Sequence, residues 1–440
     1  MNPDLAGLLT PETVIEVAQT FGTPAYVYDE CTLREKCRAL LAMPNAFGLH
    51  VGFAMKANSS RAVLQIIASE GLGIDASSLN EARRAVSAGI APKRIMLTTQ
   101  DVPLGEDRAE LERLMSQGMI YNICSKRQLE LIAPFAKLAT ANSVDVKLSM
   151  RVSTGVGTGE SATRNTGDKY SSFGIALDQL PNITQFAREN GVTIRQVHCH
   201  IGSGGDPELW RANIDRILAV AEKHFPDATT VNLGGGFKEA RMPDETPADI
   251  VDLGLTAKAA FEKLAERTGR RLSMAVEPGT YIVANAGHIV TTVLDKKSSG
   301  PGGFDFLVLD AGMETSTRPL LYGSRHPFYV VAPTGKLLSN EFQSNVSQLM
   351  PQVLVGRCCE SGDCQTIDDQ GMPVPRTMAA ANPGDFIVIG GAGAYCSSMS
   401  LTGYNSYRQA PEVLLRLDGK LQLIRKRQTL EQLTQNEQSL

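Results

Sequence analysis

Residues 50–56 read His50-Val51-Gly52-Phe53-Ala54-Met55-Lys56, an apolar run of strand length that ends on a lysine. Small polar residues follow at once, Ala57-Asn58-Ser59-Ser60. Working outward, runs of the same texture recur at 72–76, 94–98, 120–124, 146–152, 194–200, 229–233 and 273–276. Between most of them lie stretches whose apolar residues are spaced for one helix face, as in Ala62-Val63-Leu64-Gln65-Ile66-Ile67, 110–115 and 209–221. Eight β/α units in succession predict an α/β fold of the (β/α)8 TIM type rather than an open doubly wound sheet.

The flanks differ. A helix is expected at 11–21 and a strand at Pro24-Ala25-Tyr26-Val27-Tyr28-Asp29. Beyond Ala286 the chain offers short runs at 288–294, 304–309, 328–332, 353–356, 386–389 and 413–417, rich in Val, Ile, Leu and Phe. Turns such as Ser299-Gly300-Pro301-Gly302-Gly303 separate them, and a helix is expected only in the tail, at 429–438. This predicts a C-terminal β domain at 286–440, of β-sandwich or β-barrel-like form, after a barrel at 36–285.

Composition narrows the function. The chain has 440 residues and a net charge of -4, with charged residues spread throughout, so no basic face is expected for nucleic acid. The cluster Arg425-Lys426-Arg427 reads as a solvated strand edge. Eight cysteines in so long a chain do not form a disulfide scaffold. No signal peptide is expected from the N-terminus, and no apolar run approaches the ~18 residues of a membrane span. The expectation is a cytoplasmic globular enzyme with no membrane partner.

In a TIM-type barrel the reactive groups belong at the C-terminal ends of the strands. Lys56, Asp75, Arg151, the segment His198-Cys199-His200-Ile201-Gly202-Ser203-Gly204, the triplet Gly234-Gly235-Gly236 and Glu277-Pro278-Gly279 all fall there. A lysine in such a place is a candidate buried amine, neutral enough to form a Schiff base. The glycine loops offer unhindered N–H groups to a phosphate, and no Gly-Lys-Ser/Thr of a nucleotide loop accompanies them. Lysine plus phosphate cup inside a barrel points to pyridoxal phosphate.

Plainer readings exist for each feature. Lys56 could snorkel or pair, and Asp75 with Arg151 could be an ordinary ion pair. His198 and His200 alternate on one strand like a metal pair, but no further ligands lie at neighbouring strand ends, and His198 reads as a core histidine. The run Cys358-Cys359-Glu360-Ser361-Gly362-Asp363-Cys364 lacks the second Cys-x-x-Cys half of a zinc site, so no metal is expected.

Further segments complete a pattern. They are Thr23-Pro24-Ala25-Tyr26-Val27-Tyr28, Phe53-Ala54-Met55-Lys56-Ala57-Asn58, His200-Ile201-Gly202-Ser203, Gly234-Gly235-Gly236-Phe237 and Glu277-Pro278-Gly279. Asp310-Ala311-Gly312, Arg318-Pro319-Leu320-Leu321-Tyr322-Gly323, Cys359-Glu360-Ser361-Gly362-Asp363, Gly393-Ala394-Tyr395 and Tyr404-Asn405 follow in order, with Pro411-Glu412-Val413 near the end. Over nearly its full length the chain resembles the fold-type III pyridoxal-phosphate decarboxylases of alanine racemase-like fold, in particular the bacterial diaminopimelate decarboxylases.

That resemblance implies an N-terminal segment, 1–35, packed with the β domain, and pyridoxal 5'-phosphate as cofactor. It implies decarboxylation of meso-2,6-diaminopimelate to L-lysine, the last step of lysine biosynthesis, by a homodimer whose active sites are shared between subunits. Lys56 becomes the Schiff-base lysine, His200 stacks on the cofactor ring and Glu277 pairs with its nitrogen. Ser203, Gly235, Gly236, Gly279 and Tyr395 hold the phosphate region, with Asp75 and Arg151 nearby. Cys359 supplies a proton to Cα, and Arg318, Tyr322, Glu360 and Tyr395 grip the far end of the substrate. A carboxylate at Glu277 keeps the ring nitrogen protonated and the electron sink strong, which favours loss of CO2 over racemisation.

One departure stands out. Relatives carry arginine after Glu-Pro-Gly, where it helps bind the distal carboxylate, and this chain has Thr280. Arg325, close in sequence to Tyr322, is the expected substitute. The threonine leaves open a decarboxylase of another basic amino acid or carboxylated polyamine. A non-catalytic regulator of the same fold is the other alternative, opposed by the presence of both Lys56 and Cys359.

Overall fold

The computed structural model describes residues 9–155, 157, 171–202, 207–342, 349–368 and 370–440. They form two compact units. One comprises Arg34–Lys238 and Pro247–Ile282, and the other Met1–Leu33, Glu239–Thr246 and Val283–Leu440.

The first unit is the expected barrel. Its strands are Leu49–Ala54, Gly73–Ala76, Ile95–Leu97, Ile120–Ile123, Leu148–Ser153, Gln196–His198, Thr230–Asn232 and Ser273–Val276. Each pairs in parallel with the next, and the last closes on the first through Met274 opposite Leu49. The strands are covered on both faces, so they read as continuous apolar runs rather than alternating ones, as in the wholly buried Ile95-Met96-Leu97. The helices between them turn one apolar face inward. Arg61–Ser69 buries Val63, Leu64, Ile66 and Ile67.

Local chemistry sets where these helices begin and end. Ser78 Oγ accepts the Glu81 N–H at 3.1 Å, while the Glu81 carboxylate accepts the Ser77 N–H at 2.6 Å. Asp249 caps Ile250–Thr268 at one end, and Gly269, in the left-handed region at φ 74°, ends it at the other. Parallel strands all finish on the same rim, which brings residues distant in sequence onto one ring.

The second unit is built on a sheet in which Ala25–Asp29 lies between Gly287–Ser298, antiparallel, and Glu412–Leu415, parallel. Gly287–Ser298 also pairs with Phe386–Ile389 and, further along, with Asp305–Leu309. Val14 and Val17 of the first helix, Pro11–Phe21, pack on Val27, Val290 and Val388 in its core. Gly287 and Gly393 touch backbone to backbone, because a Cβ on Gly287 would sit 2.2 Å from Gly393 Cα. Strands Leu337–Asn340 and Arg376–Ala379 and the short helix Arg318–Tyr322 were not expected from the residue pattern. The tail helix covers only Leu430–Thr434, capped by Thr429 and Gln432. No helix among the described residues is long and apolar enough to cross a membrane.

Candidate active site

The barrel rim gathers the strand-end residues. Lys56 lies on the single turn Met55–Ala57 that follows the first strand. It is exposed between two buried neighbours rather than buried itself, because the turn reverses its side chain out of the core. Its charge nevertheless reaches the group: it holds down the carboxyls of Asp75 and Glu277 and opposes protonation of His198 and His200.

Glu277 is the centre of the ring. One carboxylate oxygen accepts Asn232 Nδ2 at 2.7 Å and the other lies 3.0 Å from His198 Nε2. Burial raises its pKa from the ordinary 4.5 to about 7, against the opposing pull of Asn232, Lys56 and Arg151. Burial also lowers His198 well below the usual imidazole range, so the neutral ring donates Nε2–H to the carboxylate. Asp75 is raised well above the carboxylate range, first by burial and then by the charge of Glu277. Asp75 Oδ1, Arg151 Nη2 and His198 Nδ1 are buried without hydrogen-bond partners.

The glycines of the rim are demanded by contact. A Cβ on Gly235 would lie 2.3 Å from the Glu277 carbonyl oxygen, and one on Gly236 would lie 2.8 Å from that of Gly202. The Gly235 N–H donates to His200 Nδ1 at 3.1 Å, which fixes the imidazole beside the glycine turn. A Cβ on Gly279 would lie 3.3 Å from the Ala54 and Ala57 methyls, a tight fit. Ser203 lies outside the described residues.

The other predicted residues belong to the second unit. Arg318, on the Arg318–Tyr322 helix, is 4% exposed. Its Nη2 donates to Ser324 Oγ at 3.1 Å, its Nε has no hydrogen-bond partner, and its Cζ lies 5.9 and 5.7 Å from the Tyr322 and Tyr395 rings. Tyr395 holds a left-handed backbone, φ 59°, of the kind found where a side chain is aimed for function. Cys359 and Glu360 are both exposed. The Cys359 N–H donates to Asn405 Oδ1 at 2.8 Å, and Glu360 accepts from the Gly362 N–H, Ser361 Oγ and Tyr404 OH, which hold its carboxyl below the usual range.

Arg325 is not positioned as expected. It is exposed and its Nη2 lies 2.8 Å from Asp244 Oδ2, a surface pair that occupies its charge. Asn232 and His198 were not foreseen as partners of Glu277. The signal was present in alternation along the seventh strand, where Asn232 shares a face with Gly234.

A buried carboxylate with a raised pKa, orphaned polar atoms around it and glycine turns that admit no side chain mark the barrel rim as the ligand-binding end. Residues 32–284 match the model of the pyridoxal binding domain of pyridoxal-dependent decarboxylases. The chain is 34% identical to the diaminopimelate decarboxylase of Methanothermobacter thermautotrophicus, over 95% of this chain and 92% of that protein. A crystal structure of a diaminopimelate decarboxylase superposes with a TM-score of 0.86 at 29% identity, covering 99% of this chain and 98% of the other. The Helicobacter pylori diaminopimelate decarboxylase complexed with L-lysine gives a TM-score of 0.80 at 27% identity, over 96% and 98%. The chain belongs to the pyridoxal-dependent decarboxylase family.

Proposed function

We propose that this protein decarboxylates meso-2,6-diaminopimelate at its D-centre, giving L-lysine and CO2. The observation that carries the substrate is Arg318. A guanidinium 4% exposed, with Nε unpartnered and no carboxylate paired to it among the described residues, is a receptor for an anion brought by the substrate. Lysine, ornithine and arginine have no second carboxylate to offer. The kinship to proteins named for this substrate supports the same reading.

Bound pyridoxal phosphate supplies the electron sink that makes the bond from Cα to CO2 breakable. The protein's residues do the rest. Lys56 would hold the cofactor through its amine. Glu277, held by Asn232 and His198, would keep a proton on the ring nitrogen. A cationic partner there satisfies a carboxylate that burial otherwise leaves half protonated near pH 7. His200, tied to the Gly235 N–H, would stack on the cofactor ring, and Gly235, Gly236 and Ser203 would hold the phosphate, with Gly279 leaving room beside it. Asp75 and Arg151 would set the charge around the ring, and Arg318, Tyr322 and Tyr395 would grip the far end of the substrate.

The Cys359 thiol delivers the proton to Cα, and Glu360 takes the distal ammonium. Their exposure on one chain supports service to the site of a second copy in a homodimer. Leu320, Leu401 and Tyr404 are exposed in the same region, with Leu320 packed on Gly362 and Tyr404 bonded to Glu360. Eight free cysteines support a cytoplasmic location. The test is CO2 release from diaminopimelate, lysine, ornithine and arginine by the purified protein. Release from ornithine but not diaminopimelate would overturn the substrate, and borohydride trapping at a residue other than Lys56 would overturn the chemistry.

A further inference from the structure

Cys359 and Glu360 stand on a loop with a rigid base. Asp363, 3% exposed, accepts the Met313 N–H through Oδ1 and the Cys358 N–H through Oδ2, each at 2.7 Å. Its backbone closes the loop: the Gly356 N–H donates to the Asp363 carbonyl at 2.9 Å, and the Asp363 N–H to that of Glu360 at 3.1 Å. Gly356 makes room for the carboxylate, since a Cβ there would lie 2.3 Å from Oδ2. At Cys359 the anchorage changes hands. Its N–H leaves the loop and donates to Asn405 Oδ1 at 2.8 Å.

Asn405 belongs to the short turn Tyr404–Ser406 of the same unit. Asn405 and Ser406 both hold left-handed backbone, at φ 49° and 57°, a conformation that side chains resist and asparagine resists least. The turn is exposed, so burial does not hold it in that form. Its contacts with the loop run in reverse order along the chain. Tyr404 OH donates to Glu360 Oε2 at 3.3 Å, Asn405 takes Cys359, and Tyr407 OH donates to the Arg357 carbonyl at 3.1 Å. The Arg357 guanidinium lies 4.1 Å from the Tyr407 ring centre. A strained backbone persists where its surroundings over-determine it, and these contacts are such surroundings. The direction in which a side chain leaves the chain follows the peptide that precedes it, so the bond to the Cys359 N–H also aims the thiol. A proton donor must come within hydrogen-bond reach of its target, and a misplacement of about 1 Å costs roughly 10²-fold.

We propose that Asn405 is the positioning residue for Cys359, its left-handed backbone presenting the side-chain carbonyl that fixes the thiol for proton delivery. The inference rests on the reading of Cys359 as proton donor given above.

The experiment measures diaminopimelate turnover by holoenzymes carrying Asn405→Gly, Asn405→Asp, Cys359→Ala and the Asn405→Gly/Cys359→Ala pair. Glycine accepts the left-handed backbone without strain and removes only the acceptor. For Asn405→Gly, kcat falls roughly 10- to 100-fold, KM stays within about threefold, and cofactor absorbance is unchanged. Asn405→Asp keeps an acceptor oxygen and stays within about fivefold of wild type. In the Cys359→Ala background Asn405→Gly has no further effect on kcat, because the group it positions is gone. Should Asn405→Gly fail to fold, Asn405→Ser, whose hydroxyl stops one bond short of the acceptor, decides in the same way. A wild-type kcat in the folded variant overturns the proposal. So does a loss as large without the thiol as with it, which would make Asn405 a general support of the turn. A wild-type kcat for Cys359→Ala would instead overturn the proton-donor reading itself.

Discussion

Replacing Glu277 by glutamine separates stability from function at the barrel rim. In the cofactor-free protein the carboxyl has a pKa of about 7 against an ordinary 4.5, and burial is the main cause. A group whose pKa is raised on folding contributes its full stability below the unfolded pKa and loses it as pH rises through the folded one. The rise corresponds to about 3 kcal/mol, lost between pH ~4.5 and somewhat above 7. Glutamine does not titrate and keeps an oxygen for Asn232 Nδ2. Its amide must face His198, whose buried ring can switch tautomer to accept, so the bonding can be kept. Glu277→Gln is therefore expected to gain on wild type by about 2.5 kcal/mol between pH 5 and pH 8.5 in urea melts of cofactor-free protein. The loaded variant is expected to lose activity by roughly 10²–10³-fold, as an electrostatic partner aimed at the reacting system is removed. A stability difference independent of pH would show that Glu277 ionises as an exposed carboxyl does, and the account of the rim as a dry, charge-poor site would fail.

Other consequences follow from single residues. Gly235→Ala places a methyl 2.3 Å from the Glu277 carbonyl oxygen, so the rim must shift; we expect a loss of roughly 1–3 kcal/mol by urea melt and poor cofactor retention by absorbance. Cys359→Ala should lower kcat by roughly 10²–10⁴-fold through loss of the proton donor, with little change in cofactor content. Lys56→Ala should abolish turnover, and mixing it with Cys359→Ala should restore activity up to about a quarter of wild type if sites are shared between two copies. No restoration, with subunit exchange demonstrated, would place Cys359 in the same chain's site or outside it.

The barrel was legible because its signal is redundant. Eight apolar runs, each flanked by helix-spaced residues, survive errors of one or two residues at every boundary: the run read at 94–98 is the strand Ile95–Leu97, and the one at 194–200 is Gln196–His198. The β unit was less so. Arg376–Ala379 reads Arg-Thr-Met-Ala, with only Met378 and Ala379 buried, and Leu337–Asn340 ends in two polar residues that are themselves buried. Such strands are fixed by their neighbours in the sheet rather than by their own composition. The helix Arg318–Tyr322 is a single turn of five residues, too short for periodicity to register.

The site divides along the same physical line. Residues at the ends of barrel strands could be found from sequence because topology fixes their destination: whatever follows a parallel strand arrives at the rim. Lys56 was found this way, although its exposure was not, since a single 3-10 turn decides which way the side chain leaves the strand. Cations that leave water are harder. Arg325 lies three residues from Tyr322 and so invited a role, but a surface arginine takes the nearest acid, and Asp244 is 2.8 Å away. Arg241 reads as one more charge in Lys238-Glu239-Ala240-Arg241, and nothing in its spacing marks it as buried. Its burial depends on Gly391, 150 positions later, lacking a side chain. A buried charge is thus specified by the residue that makes room for it, and that residue is found in space rather than along the chain. It follows that Gly391→Ala should cost roughly 1–3 kcal/mol of stability in urea melts, because a methyl at 391 takes the room occupied by the Arg241 stem. A Gly391→Ala protein as stable as wild type would break that link between the glycine and the arginine.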